Sequence, residues 1–267
     1  MKGIVIAAGR GARMDAVAKD IPKCLLPVAG RPLIEHTIER LRHVGCGTVV
    51  VVTGYLGHRI DQGEIVRVEN QDYLDNNILH SFMCARDHLA GPVIATYSDI
   101  WVEPTIYRRL VETPGDIVLA VDTDWRAYYE GRTDHPVEEA ENVFLSADGA
   151  VLKAGKHLDP ADAASYNCGE FLGLWRMSAA GAAAFRNVFE ELARRLDPLA
   201  PFHEATEWRQ AYITDMIQEL VNRGIRVDCA LVERGWAELD TPQDYQRLAS
   251  ISARQRLFTI VEAAGVT

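Results

Sequence analysis

The chain of 267 residues has few cysteines and none of the spacings that cysteine chemistry uses. Its five cysteines are odd in number and scattered, without a CxxC pair or a Cys/His metal motif. A disulfide framework or a zinc site would need paired or closely spaced cysteines. We therefore expect reduced thiols of a cytoplasmic protein at Cys24, Cys46, Cys84, Cys168 and Cys229.

Long hydrophobic runs and an excess of positive charge are also missing. No apolar stretch approaches the roughly 20 residues that cross a bilayer, and the apolar run in "MKGIVIAAGRG" is too short for a signal peptide. Lys and Arg number 28 against 38 Asp and Glu, which leaves a formal net charge of −10. Since that field repels polyphosphate surfaces, we expect neither nucleic acid nor a membrane as a partner.

The first half of the sequence alternates apolar strand-like runs with helical patterns. Strands are predicted at "GIVIAA", "TVVVVTG", "IVRVEN", "PVIATYSD" and "DIVLAV", and helices at "RPLIEHTIERLRHVG" and "NILHSFMCARDHL". Further on, an "ADG" turn predicts a hairpin, and helices are predicted at about 179–196 and 206–223. The alternation indicates an α/β fold: a Rossmann-like, doubly wound, mixed but mostly parallel sheet with helices on both faces.

The stretch "GRGAR" after the first strand suggests a phosphate-binding loop, since glycines let backbone amides approach an anion. A dinucleotide fingerprint needs a third glycine where this chain has Met14, and a P-loop needs Ser or Thr where Cys24 follows Lys23. A third interpretation has Arg13 and Lys23 reach a triphosphate from two sides. The alternative is that these basic side chains simply face solvent.

The two segments "AAGRGAR", from residue 7, and "PKCLLPVAGRPL", from residue 22, together resemble the opening of the nucleotidyltransferase family. That family joins a nucleoside triphosphate to a phosphorylated small molecule and releases pyrophosphate. The resemblance implies that the backbone of Ala7, Ala8 and Gly9 lies along the base and ribose. It also implies that Gly11 and Arg13 cradle the β- and γ-phosphates. Lys23 would neutralise charge at the α-phosphate, so Lys23 and Arg13 are the expected catalytic residues.

Two aspartates occupy the places where this family holds its metal. Asp99 ends the strand "PVIATYSD", at the edge where ligands bind in open α/β sheets. Asp240 follows a short apolar run and precedes a Thr-Pro helix start. A turn residue and a helix cap are the structural alternatives. The resemblance implies that both carboxylates bind Mg²⁺, although Ser98 stands where many relatives have Gly, which disfavours the sugar-1-phosphate branch.

The segment "VENQDYLDNNILHSFMCARDHL" resembles the bacterial phosphocholine cytidylyltransferase branch, in which an Asn-Asn pair opens a helix and Ser follows. Asn76, Asn77 and Ser81 match that pattern. Polar groups at a helix start can read a pyrimidine edge, so CTP is the expected nucleotide. Capping of the helix by either asparagine is the alternative.

The region 122–177 and the helices after it are rich in aromatic and charged side chains that suit an acceptor with a cationic head. Six rings are available for a cage around a quaternary ammonium: Trp125, Tyr128, Tyr129, Trp175, Trp208 and Tyr212. Asp122, Asp124 or Glu170 would add a counter-charge, while most of these rings could equally be core. The segment "DTDWRAYYEGRTDHPVEEAENVF" also resembles cytidylyltransferases that activate phosphonates. For either kind of acceptor, Arg132, His135 and Lys156 would hold the phosphate or phosphonate.

The resulting expectation is a Mg²⁺-dependent cytidylyltransferase acting on phosphocholine or a phosphonate such as 2-aminoethylphosphonate. We expect one domain over 1–250, with a nucleotide-binding half at 1–121, an acceptor-binding half at 122–250 and a helical tail at 251–267. The partners are CTP and the small acceptor, and a homodimer is the candidate assembly. The alternatives are a sugar- or polyol-phosphate nucleotidyltransferase, a non-catalytic nucleotide-binding regulator and a nicotinamide-dependent dehydrogenase.

Overall fold

A computed structural model describes residues 1–156, 158 and 167–249. The strands are β1 (Lys2–Ala7), β2 (Pro27–Val28), β3 (Arg31–Pro32), β4 (Thr48–Thr53), β5 (Val66–Glu69), β6 (Val93–Tyr97), β7 (Ile100–Val102), β8 (Ile117–Asp122), β9 (Asn142–Leu145), β10 (Val151–Gly155), β11 (Asn167–Met177), β12 (Asp228–Val232) and β13 (Trp236–Glu238). The α-helices are α1 (Asp15–Ala18), α2 (Leu33–His43), α3 (Ile78–Met83), α4 (Pro104–Glu112), α5 (Trp125–Tyr129), α6 (Ala179–Arg195), α7 (Ile213–Asn222) and α8 (242–249).

Nine of the strands in the described part of the chain form one mixed sheet. Its main order is β10-β9-β11-β6-β1-β4-β5, and β8 pairs with both β11 and β12. Strand β1 is parallel to β4 and β6, β4 to β5, and β8 to β12, whereas β11 is antiparallel to β6, β8 and β9. The predicted fold class, a Rossmann-like α/β sheet that is mixed and mostly parallel, is confirmed.

Helices cover both faces of this sheet. Ile4 and Ile6 point into one apolar core together with α3, α6 and α7, and Val5 and Ala7 point into the other together with α2 and α4. The alternation follows from the two-residue repeat of a strand, and burial on both faces explains the continuous Val and Ile runs. Among residues 1–156, 158 and 167–249, no helix combines the length and apolarity that crossing a bilayer requires.

Two helices differ from the predicted bounds. Helix α3 ends at Met83, and a short 3-10 turn covers Arg86–His88 instead of a continuation to 89. Helix α7 begins at Ile213, because Tyr212 caps it through reciprocal bonds with Asp215. The predicted tail helix at 251–267 lies outside the described residues, and the division into halves at 121 stays a prediction.

A small second pairing fixes the geometry of the site. Strand β7 follows Asp99 directly and pairs antiparallel with β13, which ends two residues before Asp240. Glu238 lies opposite Ile100 in this pairing, and the Leu239 N–H donates to the Asp99 carbonyl at 2.8 Å. Two segments far apart in sequence are therefore held side by side at the carboxyl edge of the main sheet.

Candidate active site

The glycine loop leaves β1 at this same edge and folds against the stem of Lys23. Gly11 has φ +62, the left-handed region that favours glycine, and starts the short helix Ala12–Met14. A Cβ at Gly11 would lie 3.5 Å from the Lys23 side chain. Met14 is buried and anchors the far end of the loop. The loop therefore packs on the lysine methylenes while its backbone faces the cavity.

Lys23 bridges the two aspartates that the sequence singled out. Its ammonium donates to Asp99 Oδ2 and to Asp240 Oδ1, each at 2.6 Å, and Arg13 Nη2 donates to Asp240 Oδ2 at 3.0 Å. Burial alone would lower the pKa of Lys23, but Asp240 and Asp99 together raise it well above its usual range. Burial alone would raise the pKa of Asp240, but Lys23 and Arg13 outweigh it and hold that pKa well below its usual range.

This arrangement fits a divalent metal. Two carboxylate oxygens already converge on a single cation, the Lys23 ammonium, and oxygen donors are the ligands that Mg²⁺ prefers. Asp99 and Asp240 are therefore the residues that would hold the ion, with the substrate phosphates completing its shell. Glu238 and His135 also lie close, since Glu238, His135 and Asp240 each place one potential ligand atom within 4.8 Å of the others.

A buried ionic network supports the Asp240 loop from below. The Arg132 side chain is fully buried and binds Asp244 through Nε and Nη2, at 2.8 and 3.2 Å, and Glu238 through Nη2 at 3.0 Å. Asp244 Oδ2 in turn accepts from the Thr241 N–H and hydroxyl and from the Asp240 N–H. Burial raises the pKa of Glu238 to about 8, with Asp240 adding to the shift and Arg132 opposing it.

A cavity of about 250 Å³ opens in front of these groups, and most of the predicted nucleotide residues line it. They are Ala7, Gly9, Gly11, Arg13, Lys23 and Asn77. Three predicted residues do not line it: Ala8, Asn76 and Ser81. The Ala8 carbonyl accepts from the Tyr55 N–H, and Asn76 and Ser81 both bond to the side chain of buried Asn70.

The second asparagine of the pair serves as a helix cap. The Asn77 side chain accepts from the Ile78 N–H at 2.8 Å and donates to the Gln210 carbonyl at 3.0 Å. Asn76 and Ser81 shape the same turn through Asn70. Asn77 therefore lines the cavity while Asn76 shapes the turn beside it, and the recognition of a pyrimidine by this pair stays a prediction.

On the acceptor side, three of the seven predicted residues line the cavity: His135, Lys156 and Glu170. The other four occupy structural positions. Asp122 accepts from the Trp236 indole, Trp125 packs in the core, Tyr129 donates to Glu170 at 2.6 Å, and Arg132 holds the Asp240 loop. The cavity lining does not include these four residues, so their predicted contact with the acceptor finds no support in this geometry.

The six rings proposed for an aromatic cage do not assemble as one. Tyr212 lines the cavity, whereas Trp125, Tyr128, Tyr129, Trp175 and Trp208 are buried in the two cores. Two other rings, Tyr97 and Phe171, line the cavity in their place, 6.1 Å apart. Asp124, the other candidate for a counter-charge, directly precedes α5. It is not among the described residues that line the cavity.

Sequence reasoning missed several acidic and aromatic residues of the wall. Tyr97 stands two residues before Asp99, and Glu238 two residues before Asp240, so a strand's alternation could have found both. The Tyr97 hydroxyl donates to Glu141 at 3.0 Å, and Lys156 pairs with Glu139 at 2.8 Å. No local pattern marks these two glutamates.

Burial shifts the pKa of three further ionisable side chains in the cavity wall, two carboxyl groups and one imidazole. Burial raises the pKa of Glu141 to about 7 and that of Glu170 well above its usual range. Burial, with the nearby Arg132 guanidinium, lowers the pKa of His135 and favours its neutral form. The acceptor end thus has carboxyl groups without full compensation, and a cation placed there would favour their ionisation.

Comparison with known proteins shows the family of the chain. The model of the MobA-like NTP transferase domain matches residues 3–195, so the chain belongs to that family. CTP:phosphoglutamine cytidylyltransferase of Campylobacter jejuni is 24% identical over 257 residues, covering 92% of this chain and 98% of the relative. Choline-phosphate cytidylyltransferase of Streptococcus pneumoniae is 33% identical over 233 residues, covering 82% and 95%.

A solved structure shows the same fold. The inositol-1-phosphate CTP transferase from T. maritima superposes with a TM-score of 0.69 at 22% identity, covering 94% of this chain and 95% of that one. The predicted nucleotidyltransferase family is confirmed, and relatives named as cytidylyltransferases support the predicted branch.

Proposed function

We propose that the protein transfers CMP from CTP to a small acceptor that carries a phosphate or phosphonate and a cationic head, with release of pyrophosphate. The observation that carries this proposal is the convergence of Lys23, Asp99 and Asp240 beneath the glycine loop. The names of the two relatives support CTP as the nucleotide. Glu141 and Glu170 line the cavity with carboxyl groups whose pKa values are raised by burial, and a cationic head placed beside them would favour their ionisation.

In the proposed reaction, an acceptor oxygen attacks the α-phosphorus of CTP in line with the departing pyrophosphate. The bond from that oxygen to phosphorus forms as the bond to the bridging oxygen breaks, and the electron pair leaves with pyrophosphate. Lys23 and Arg13 would stabilise the charge on the phosphates, and the glycine loop would align them. The acceptor oxygen is ionised at neutral pH, so no side chain need act as a general base.

Asp99 and Asp240 would hold Mg²⁺, which supplies charge neutralisation at the phosphates when bound. His135 Nδ1 lies 3.4 Å from Asp240 without a hydrogen bond, and burial lowers the pKa of this imidazole, so we assign His135 to packing beside that aspartate. Lys156, from the end of β10, would reach the acceptor's phosphate or phosphonate by leaving Glu139. The three cavity rings, Tyr97, Phe171 and Tyr212, would flank the head group.

The decisive experiment is Mg²⁺-dependent pyrophosphate release over a grid of nucleotides and acceptors. CTP, UTP, GTP and ATP would be crossed with phosphocholine, 2-aminoethylphosphonate, phosphoethanolamine, inositol-1-phosphate and glucose-1-phosphate. Among the four nucleotides we expect pyrophosphate release only with CTP. Among the acceptors we expect it with those that carry a cationic head. Release confined to inositol or glucose phosphate would overturn the assignment of the acceptor, and release with another nucleotide would overturn CTP.

A further inference from the structure

The Lys23 ammonium lies where the proposed metal would be held. Its nitrogen is 2.6 Å from one oxygen of Asp99 and 2.6 Å from one oxygen of Asp240. A Mg²⁺ ion binds such oxygens at about 2.1 Å and would need the same gap between them. Two cations cannot share that gap, because they would overlap and repel each other.

We propose that Lys23 is a tethered cation that exchanges with the metal. It holds Asp99 and Asp240 together in the free protein, and it leaves for the nucleotide phosphates when the metal takes the two carboxylates. This inference rests on the proposed function, since the second position of Lys23 is a nucleotide phosphate.

The surroundings of Lys23 permit this exchange. Its methylenes pack on Gly11 of the phosphate loop, and Lys23 itself lines the cavity. The four-carbon stem of a lysine rotates about its single bonds, so the ammonium can turn from the aspartates toward the loop while the first methylenes keep their packing. Arg13 also contacts Asp240, but its side chain is 50% exposed. Lys23 bonds to both aspartates, whereas the ion pair of Arg13 is with Asp240.

The exchange predicts a coupling between metal and nucleotide. A metal ion draws the carboxylates away from Lys23, and a triphosphate draws Lys23 away from the carboxylates. Each ligand therefore makes the binding of the other more favourable, and each should raise the affinity for the other by the same factor. Lys23 would carry that coupling.

The test is Mn²⁺ binding to the full chain without nucleotide, followed by electron paramagnetic resonance of the free ion. Lys23→Met should bind Mn²⁺ at least tenfold more tightly than the wild type, whereas loss of a true ligand would weaken binding. Lys23→Arg keeps the charge and should bind as weakly as the wild type. Lys156→Met is the matched control, because Lys156 lies in the same cavity but pairs with Glu139.

A folded Lys23→Met protein that binds Mn²⁺ no more tightly than the wild type would overturn the proposal, and so would an equal gain in Lys156→Met. Lys23→Gln replaces Lys23→Met in the same titration if circular dichroism shows the methionine variant unfolded. Added CTP should raise the Mn²⁺ affinity of the wild type by a larger factor than that of the variant. The titration without CTP reports on Lys23 even if the pyrophosphate grid refutes the proposed acceptor or nucleotide.

Discussion

Replacement of Arg132 by methionine should be among the most destabilising single changes in this protein. The guanidinium is fully buried, and three hydrogen bonds join it to Asp244 and Glu238. Removal of one partner from a buried ion pair costs about 3–5 kcal/mol, because the remaining charge stays buried without compensation. For a chain of this size that loss corresponds to a fall in Tm of roughly 6–20 °C.

Urea and thermal unfolding followed by circular dichroism would measure this loss. The matched control is Arg223→Met, since Arg223 also makes three hydrogen bonds to two carboxylates, Glu191 and Glu219, but lies near the surface. Screening by water should make that change small. If Arg132→Met cost no more than Arg223→Met, the support of the Asp240 loop by a buried network would be refuted.

Three further outcomes follow from the site and its surroundings. Asp99→Asn should lower turnover at least about 100-fold with an unchanged circular dichroism spectrum, because the proposed metal site loses a charge; near-normal pyrophosphate release would contradict the metal assignment. Since burial raises the pKa of Glu141 from 4.5 to about 7, the wild type should lose stability relative to Glu141→Gln as the pH rises across that interval. The free energy of unfolding in urea would be measured against pH for both proteins, and a constant difference between them would contradict this prediction. Gly173→Ala should cost at least about 1–2 kcal/mol, because φ is +70 and the new methyl group would meet the Tyr97 ring; a wild-type Tm would speak against this strain.

The sheet and the nucleotide side of the cavity could be predicted from the sequence because their signals are local. Uninterrupted Val and Ile runs indicate strands buried on both faces, and glycines after β1 indicate a loop that approaches an anion. Asp99 stands at a strand end, where parallel topology alone places it at the ligand edge. The roles expected for Lys23 at the phosphates and for Asp99 and Asp240 at the metal came from the family resemblance rather than from any spacing. The direct contact of Lys23 with both aspartates is visible only in the structure.

The acceptor side could not be predicted in the same way, because its residues come together only through long-range packing. A tryptophan or tyrosine in a sequence does not reveal whether its ring lines a cavity or fills a core, and five of the six candidate rings fill a core. Arg132 was a reasonable phosphate ligand by charge, yet Asp244, which pairs with it, is visible only in three dimensions. Glu141 lines the cavity, where burial raises its pKa, and no pattern in the sequence indicates that burial.

The pairing of β7 with β13 fixes the separation of the two proposed metal ligands, whatever the length of most of the chain between them. Asp99 precedes β7, Asp240 follows β13, and the register that places Glu238 opposite Ile100 sets their separation. Insertions or deletions in loops between residues 103 and 235 would leave that register unchanged where they do not displace Arg132, which supports the Asp240 loop. The proposed acceptor wall can therefore diverge, or be exchanged by design, while the two proposed metal ligands keep their separation.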